Sequence, residues 1–374
     1  MSLDDEERKC HEWIALLGKG REDADGIQDY CAYLGDALAR HNITLRLWRL
    51  EWQKIGWRQA LEKLRQESKF WKGRWVLVQY TALAFSTRGF PWRALSVTRI
   101  LRKNGARAAV VFHDPTRQSG SRFRDWIRGS VQDWVIRRLY RMADFGIFLD
   151  PLGTLPWLPK RHRNKAVSIP IGANLPELLD ATIHNPNEKS ADPQVAVYCL
   201  SVDAVASEEL EDLFLAAENA CKEGVKFRLI FLGRGTEEAR RSILAKFERL
   251  PVKVSVMGLL APERVAEVLG GVDAMLCVRG KLYPRRGSAI AGIACGLPIL
   301  AYGGAAEGTP LNEAGVLLAP YRDAAALGQE LARVLRDPAL ARELRCRSAR
   351  AYQQYFSWRV IADAYVKALG GTNG

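Results

Sequence analysis

The sequence predicts an α/β chain of two domains, each built on a mostly parallel, doubly wound sheet. Short apolar runs alternate with amphipathic helical stretches along nearly the whole chain. The alternation breaks over Gly172 to Pro193, where Pro176, Pro186 and Pro193 stand among Asn185, Asn187 and Ser190, and then restarts. A length of 374 residues with 48% hydrophobic content is enough for about two buried cores.

The elements follow in order. Glu12 to Leu17 reads as a first strand, ending at Gly18-Lys19-Gly20. After a polar loop closing in Asp25-Gly26, the residues Ile27, Tyr30, Cys31, Leu34 and Leu38 recur at helical spacing, and His41-Asn42 stops the helix. Ile43 to Trp48, Trp75 to Val78, Ala108 to Phe112 and Phe145 to Leu149 are the next strands, with helical stretches between them that include Pro91 to Lys103 and Arg122 to Met142. Beyond the break, strands are expected at Val195 to Leu200, Phe227 to Leu232, Val252 to Met257, Ala274 to Val278 and Leu297 to Tyr302. Helices are expected at Ser207 to Glu223, Pro262 to Leu269 and Ser288 to Cys295, with closing helices from about 323 to 369. The domains are therefore 1–172 and 194–355, joined by a linker over 173–193, and a last helical segment, 356–374, is expected to pack back on the first domain.

Composition narrows the function. No run of about 18 apolar residues predicts a membrane span, and the charged start, Met1 to Cys10, lacks a signal-peptide core. The seven cysteines show no C-x-x-C pairing and read as reduced, buried thiols of a cytoplasmic protein. Residues 1–170 hold 31 Lys+Arg against 18 Asp+Glu, while residues 171–374 hold 24 of each, so the whole net charge of +13 lies in the first part, with ten of the eleven tryptophans. This is either a solvated basic surface or one for an anionic partner. Arg122 to Arg141 interleaves six arginines with Trp126, Ile127, Trp134, Val135 and Leu139. The pattern suits either an anionic membrane surface or a core-facing helix with a solvated basic side. No nucleic-acid recognition motif accompanies the charge, and no nucleic-acid partner is expected.

Several short motifs stand where strands end, the edge at which doubly wound sheets bind ligands. Gly18-x-Gly20 allows either a plain turn or a close backbone approach to a phosphate, and Gly233-Arg234-Gly235 has the same two readings. Arg279 to Ser288 places four cations and two glycines between a strand and an apolar helix for which Ser288 is a good N-cap. A helix start offers unpaired N–H groups and a positive dipole end, and Arg285 and Arg286 add charge-assisted donors, so this loop suits a diphosphate. His113, followed by Asp114 at a strand's end, and Asp25 are candidate polar contacts to a substrate; a structural histidine and a helix-capping carboxylate are the alternatives.

These residues, in this order, resemble the family 4 glycosyltransferases and related GT-B enzymes. The resemblance is carried by Asp25-Gly26-Ile27, His113, Ala143-Asp144 and Ile169 to Asn174 in the first half. In the second half it is carried by Leu232 to Gly235, Gly258, Val272-Asp273, Ala294 to Ile299 and Phe356-Ser357-Trp358. It implies two Rossmann-like domains with a cleft between them. A nucleotide-sugar donor would be held by the second and a saccharide or lipid-linked acceptor by the first, with no metal and no cofactor. Carried over by position, Gly287, Ser288 and Ala289 would contact the diphosphate, Gly233 and Arg234 would line the donor pocket, Gly258 and Leu259 would flank the base, and His113 would contact the transferred sugar. Asp25 is the second catalytic candidate, and Gly18 and Gly26 belong to the acceptor-side loop.

The implied activity is transfer of a hexose in cell-surface polysaccharide synthesis, by a cytoplasmic protein peripheral to the inner face of the membrane. The chain departs from the family at the two glutamates that usually flank this helix eight residues apart, where Tyr283 and Ala291 stand. It departs again after the first strand of the second domain, where Val202, Asp203 and Ala204 follow Ser201 in place of an Arg and a Lys. The alternative reading is accordingly a catalytically inactive GT-B scaffold that binds a partner.

Overall fold

A computed structural model describes residues 12–19, 25–117, 123–176, 192–201, 208–303 and 309–370. Cys10, Gly20, Arg122, most of the expected linker, Val202 to Ala204 and Ser207 lie outside the described residues. The chain divides into two compact units, Met1–Ile171 with Trp358–Gly374, and Gly172–Ser357.

The first unit carries a six-stranded sheet: β1 (Glu12–Leu17), β2 (Thr44–Arg49), β3 (Trp75–Tyr80), β4 (Arg107–Phe112), β5 (Phe145–Phe148) and β6 (Ala166–Ser168). The order is β2-β1-β3-β4-β5-β6, and every neighbouring pair is parallel. Strand β6 has no counterpart in the sequence reading because it is three residues long and only partly buried. Side chains alternate along β1: Ile14 and Leu16 enter one core and Trp13, Ala15 and Leu17 the other. Both faces are thus covered, which is why the strands read as continuous apolar runs. On one face lie α2 (Trp52–Glu67), α3 (Arg93–Lys103) and α4 (Phe123–Met142). On the other lie α1 (Gly26–Ala39) and the chain's last helix, Trp358–Gly370, numbered α11 below.

The second unit carries β7 (Gln194–Tyr198), β8 (Arg228–Leu232), β9 (Lys253–Gly258), β10 (Ala274–Lys281), β11 (Ile299–Tyr302) and β12 (Val316–Ala319). Its helices are α5 (Glu209–Lys222), α6 (Arg240–Phe247), α7 (Pro262–Gly270), α8 (Gly287–Ala294), α9 (Ala324–Arg336) and α10 (Pro338–Ala351), and α11 follows in the first unit. The sheet order is β12-β11-β10-β7-β8-β9, again parallel. Neither β12, a four-residue strand, nor α6 is visible in the sequence pattern. Helix α8 packs closely on the sheet because Gly292 has no side chain. A Cβ there would stand 2.6 Å from Ile299 Cδ1 and 2.7 Å from Met275 Cε.

Each sheet reverses direction once. The chain leaves β1 for β2 on one side and then continues β3 to β6 on the other; it leaves β7 for β8 and β9, then returns to β10 beside β7. The crevices beyond the strand ends at β1/β3 and β7/β10 are therefore the two topological switch points.

Candidate functional site

At the β7/β10 switch point the chain turns sharply. Cys199, just past β7, adopts φ +66°, and its N–H donates to Leu232 O at 2.9 Å; Leu200 N–H donates to Arg234 O at 2.9 Å. This pulls the Gly233-Arg234-Gly235 turn against β7. Gly233 has φ +85°, and a Cβ there would lie 2.7 Å from Cys199 Sγ and from the Tyr198 ring; at Gly235 it would lie 2.6 Å from Leu200 O. Both glycines are demanded by conformation and by close packing, while Arg234 between them is only partly buried. Gly258 at the end of β9 extends the row: its carbonyl accepts from Gly233 N–H at 2.7 Å, and its φ is +68°.

On the β10 side, Tyr283 to Arg286 form a turn closed by Arg286 N–H donating to Tyr283 O at 3.0 Å, and helix α8 begins at Gly287. The N-cap is Arg286, with extended backbone and no side-chain capping bond, which corrects the expectation for Ser288. The physical reason is the tight turn: it places the first helical dihedrals at Gly287, so Ser288 falls inside the first turn. The Ile290 N–H is bonded to Arg286 O at 3.1 Å. The N–H groups of Gly287, Ser288 and Ala289 precede the first intrahelical bond, and helix geometry leaves them without helical acceptors.

A pocket opens here, lined by Tyr198, Cys199, Cys277, Arg279, Arg286 and Ser288 among others. Arg286 stacks over the Tyr283 ring at 4.3 Å and donates from Nη2 to Arg279 O, so its guanidinium is held in place. The two thiols record the local field. Burial raises the Cys199 thiol above its ordinary range while Arg234, Arg279 and Arg286 pull it back down. Burial pushes the Cys277 thiol up to about 12, again opposed by Arg286. Three guanidinium groups from the ends of two different strands therefore act on one spot. The thiols beside them stay neutral at physiological pH, so the pocket is cationic.

Of the expected donor residues, Arg286 and Ser288 line this pocket, and Gly233 and Arg234 border it through Cys199. Gly258 is one strand farther out. Ala289 is fully buried in α8, Leu259 is exposed, and Arg285, half-buried, lies 5.4 Å from the Tyr283 ring. Cys199 and Cys277 were not singled out by sequence, where a thiol inside an apolar strand carries no site signal. Ala291, at one of the family's glutamate positions, is 3% exposed and offers only a methyl group.

In the first unit, His113 follows β4, with its backbone N–H donating to Tyr80 O at 3.0 Å. Gln79, 1% exposed, turns its side-chain N–H to Leu77 O at 3.4 Å, which aims Gln79 Oε1 at His113 Nε2, 2.7 Å away. The Nε2–H therefore donates to Gln79, and in the neutral ring Nδ1 is the acceptor. The edge of Tyr30 closes on the imidazole at 5.3 Å, and the Tyr30 hydroxyl is 2.7 Å from that of Tyr365. Such a ring is held in one orientation, while the residue stays partly exposed.

Asp25 has the capping role of its two alternatives. Oδ1 accepts from Ile27 N–H at 3.2 Å and from Gln28 N–H at 3.4 Å, and Oδ2 pairs with Arg49 at 2.9 Å. Both oxygens hold α1 and Arg49 in place, which is the helix-capping role expected as the alternative to catalysis. Gly18 is likewise a close-packing turn, since a Cβ would lie 2.4 Å from Ala84 O, and Gly26 is the first residue of α1.

Six of the seven cysteines fall in the described residues and all six are free; Cys346 is exposed, against the expectation of burial, because it lies on the outer side of α10. No group of three His, Cys, Asp or Glu side chains among the described residues is placed to hold a metal ion, and no described helix is long and apolar enough to cross a membrane.

Comparison with known proteins now adds a family. Residues 182–351 match the family model described as Glycosyl transferases group 1. The match falls within the second unit. The pocket at the start of α8 lies within that match. Over the whole chain, a glycosyltransferase from Rickettsia africae is similar at 14% identity and a TM-score of 0.67, covering 98% of this chain and 100% of its own. Anabaena HepE in complex with UDP and glucose is similar at 12% identity and 0.65, covering 96% and 99%. A trehalose-6-phosphate structure from E. coli, bound with UDP-2-fluoro glucose, is similar at 12% and 0.62, covering 95% and 98%. At these identities the likeness establishes the fold, GT-B with two Rossmann-like units. No curated protein matches the chain.

Proposed function

We propose that the protein transfers a hexose from a nucleoside-diphosphate sugar to a saccharide or lipid-linked acceptor in the synthesis of cell-surface polysaccharide. The observation that carries this reading is the convergence of Arg234, Arg279 and Arg286 on a switch-point pocket beside the uncapped start of α8. As the glycosidic bond to the donor breaks, negative charge grows on the leaving diphosphate. The N–H dipoles at the start of the helix and the guanidinium groups near it would stabilise that charge, and neutralise it without a metal ion. HepE, which shares the fold, binds UDP and glucose.

The first unit supplies the acceptor side. His113, held by Gln79 and Tyr30, contacts the transferred sugar, and a hydrogen bond that strengthens as positive charge builds at the anomeric carbon lowers the barrier. Asp25 and Gly18 shape the loop rather than react.

The test is a thermal-shift screen of UDP, GDP, ADP and their sugars. A ligand that binds only the folded state raises the melting temperature, by about 2.7 kcal/mol of stability at a hundred times its Kd. One nucleoside diphosphate is expected to stand out, and its sugar to be turned over. If none stabilises the protein, the donor reading fails. The methyl of Ala291, where the family carries a glutamate, favours one second reading: a scaffold that retains the nucleotide pocket without turnover. Binding with no sugar transfer to any acceptor and no hydrolysis would decide for it.

A further inference from the structure

Helix α4 has two faces. Its inner face, with Gly129, Gln132, Val135, Ile136, Leu139 and Tyr140, is buried in the first unit's core. The opposite face of a solvated helix is normally polar. Here Phe123, Ile127 and Trp134 follow at intervals of four and seven residues, so they share that face, and Arg137, Arg138 and Arg141 continue it toward the C-terminus. Phe123 is 75% exposed, Trp126 62% and Trp134 57%, and the Phe123 and Trp126 rings stack on each other at 6.1 Å.

Leaving three large aromatic side chains of one helix in water costs free energy that a soluble surface would avoid. The two carboxylates flanking the face are already paired, Asp125 with Arg128 and Asp133 with Arg117. Arg124, Arg137, Arg138 and Arg141 make no ion pair with the described residues. Tryptophan rings and arginines side by side match the boundary of a lipid bilayer, where an amphipathic ring lies at the headgroup level and a cation meets lipid phosphates. The charge balance agrees: the net +13 of the chain lies in residues 1–170, and the rest is neutral.

We propose that the outward face of α4 docks on an anionic lipid bilayer, with the rings of Trp126 and Trp134 in the headgroup layer and Arg137, Arg138 and Arg141 on lipid phosphates. The inference is independent of the donor reading, because it rests on different residues in the other unit.

The test uses the full chain with vesicles of phosphatidylcholine alone and of three parts phosphatidylcholine to one part phosphatidylglycerol. At low salt the protein is expected to sediment with the anionic vesicles only, with a blue shift of tryptophan emission. Raising salt from 0.1 M to 1 M shortens the screening length from about 10 Å to about 3 Å and should release it. Arg137→Ala with Arg138→Ala should weaken partitioning about 25-fold, which is about fivefold per arginine and corresponds to about 1 kcal/mol per cation near an anionic leaflet. Trp126→Ser with Trp134→Ser should abolish the blue shift and weaken binding, while both double variants keep the parental melting temperature, because the altered side chains are exposed. The proposal is overturned if the protein does not bind anionic vesicles at low salt, or if it binds both vesicle types equally at high salt. It is also overturned if the tryptophan variants instead dissociate a dimer of a parent that ignores vesicles, which would make the face a protein–protein interface.

Discussion

Gly233 and Arg286 show how single residues build the pocket in opposite ways. Gly233 contributes by lacking a side chain, since φ +85° and a Cβ 2.7 Å from Cys199 Sγ exclude any other residue. Arg286 contributes its guanidinium, fixed by Tyr283 and the Arg279 carbonyl. Arg286→Ala together with Ser288→Ala is expected to weaken UDP or GDP binding by about 2–4 kcal/mol, the loss of charge-assisted hydrogen bonds. Calorimetry checks it, and parental affinity in the double variant would move the donor elsewhere. His113→Ala is expected to lower kcat about 10²-fold with nucleotide affinity nearly intact. A residue that only supports the fold would instead lower the melting temperature and leave turnover per folded molecule unchanged. The thiols give a third check. At about 12, the Cys277 thiol is almost entirely protonated at pH 8, and thiolate forms only as pH climbs toward that value. In a Cys10→Ser background, a thiol reagent at pH 8 should modify Cys346 rapidly and Cys31, Cys277 and Cys295 only after denaturation, as mass spectrometry of the labelled peptides would show.

Among the elements, α8 and α11 are each held in place by a few buried contacts. Helix α8 has eight residues, too few to be stable alone, and is held by Ile290 and Ile293, both fully buried, and by the close approach that Gly292 allows. Gly292→Ala forces its Cβ onto Met275 and Ile299, whose side-chain ends can shift; the expected cost is about 1–3 kcal/mol, with weaker nucleotide binding because the start of α8 moves with the helix. Denaturant titration with and without UDP measures both, and an unchanged stability would mean that the packing is looser than these distances require. Helix α11 joins α1 through the Tyr30–Tyr365 hydroxyl pair and receives the Trp75 indole N–H on Leu369 O at 3.1 Å. Tyr365→Phe leaves the buried Tyr30 hydroxyl without that partner, at about 1–3 kcal/mol.

At the scale of the whole molecule, the first unit is discontinuous in sequence: its core is completed by the last helix, after the second unit has intervened. Trp358, Ile361, Ala362, Tyr365 and Leu369 are each at most 3% exposed, within the core that also holds α1 and β1. A fragment of residues 1–171 therefore exposes the apolar surface of α1 that α11 covers. It is expected to lack a cooperative thermal transition and near-UV circular dichroism, and tethering residues 352–374 to it by a flexible Gly/Ser linker should restore both. A cooperative transition in the bare fragment would show that α11 is dispensable to this core. The charge follows the same division, since the excess cations that serve the proposed lipid face all precede residue 171.

The sequence by itself determined what local patterning can carry. Apolar runs such as Ile14 to Leu17 and Ala108 to Phe112, separated by periodic helices, specify doubly wound parallel sheets, and the prolines at 176, 186 and 193 mark where the alternation pauses. The glycine-flanked Arg234 and the basic run into α8 were legible as strand-end loops, because glycines and cations after an apolar run have few other uses. Only the tertiary structure decided which loops meet. Parallel pairing is long-range, so nothing near residue 199 announces that β10 returns beside β7 and brings Cys277, Arg279 and Arg286 to Cys199 and Arg234. Strands β6 and β12 escaped the pattern because a short strand at a sheet's edge shows too few alternations. Asp25 and Ser288 turned on backbone geometry: an aspartate before a helix reads alike as cap or catalyst until Arg49, brought over by β2, is seen on its second oxygen. A serine near a helix start is a cap only if the preceding turn places it there.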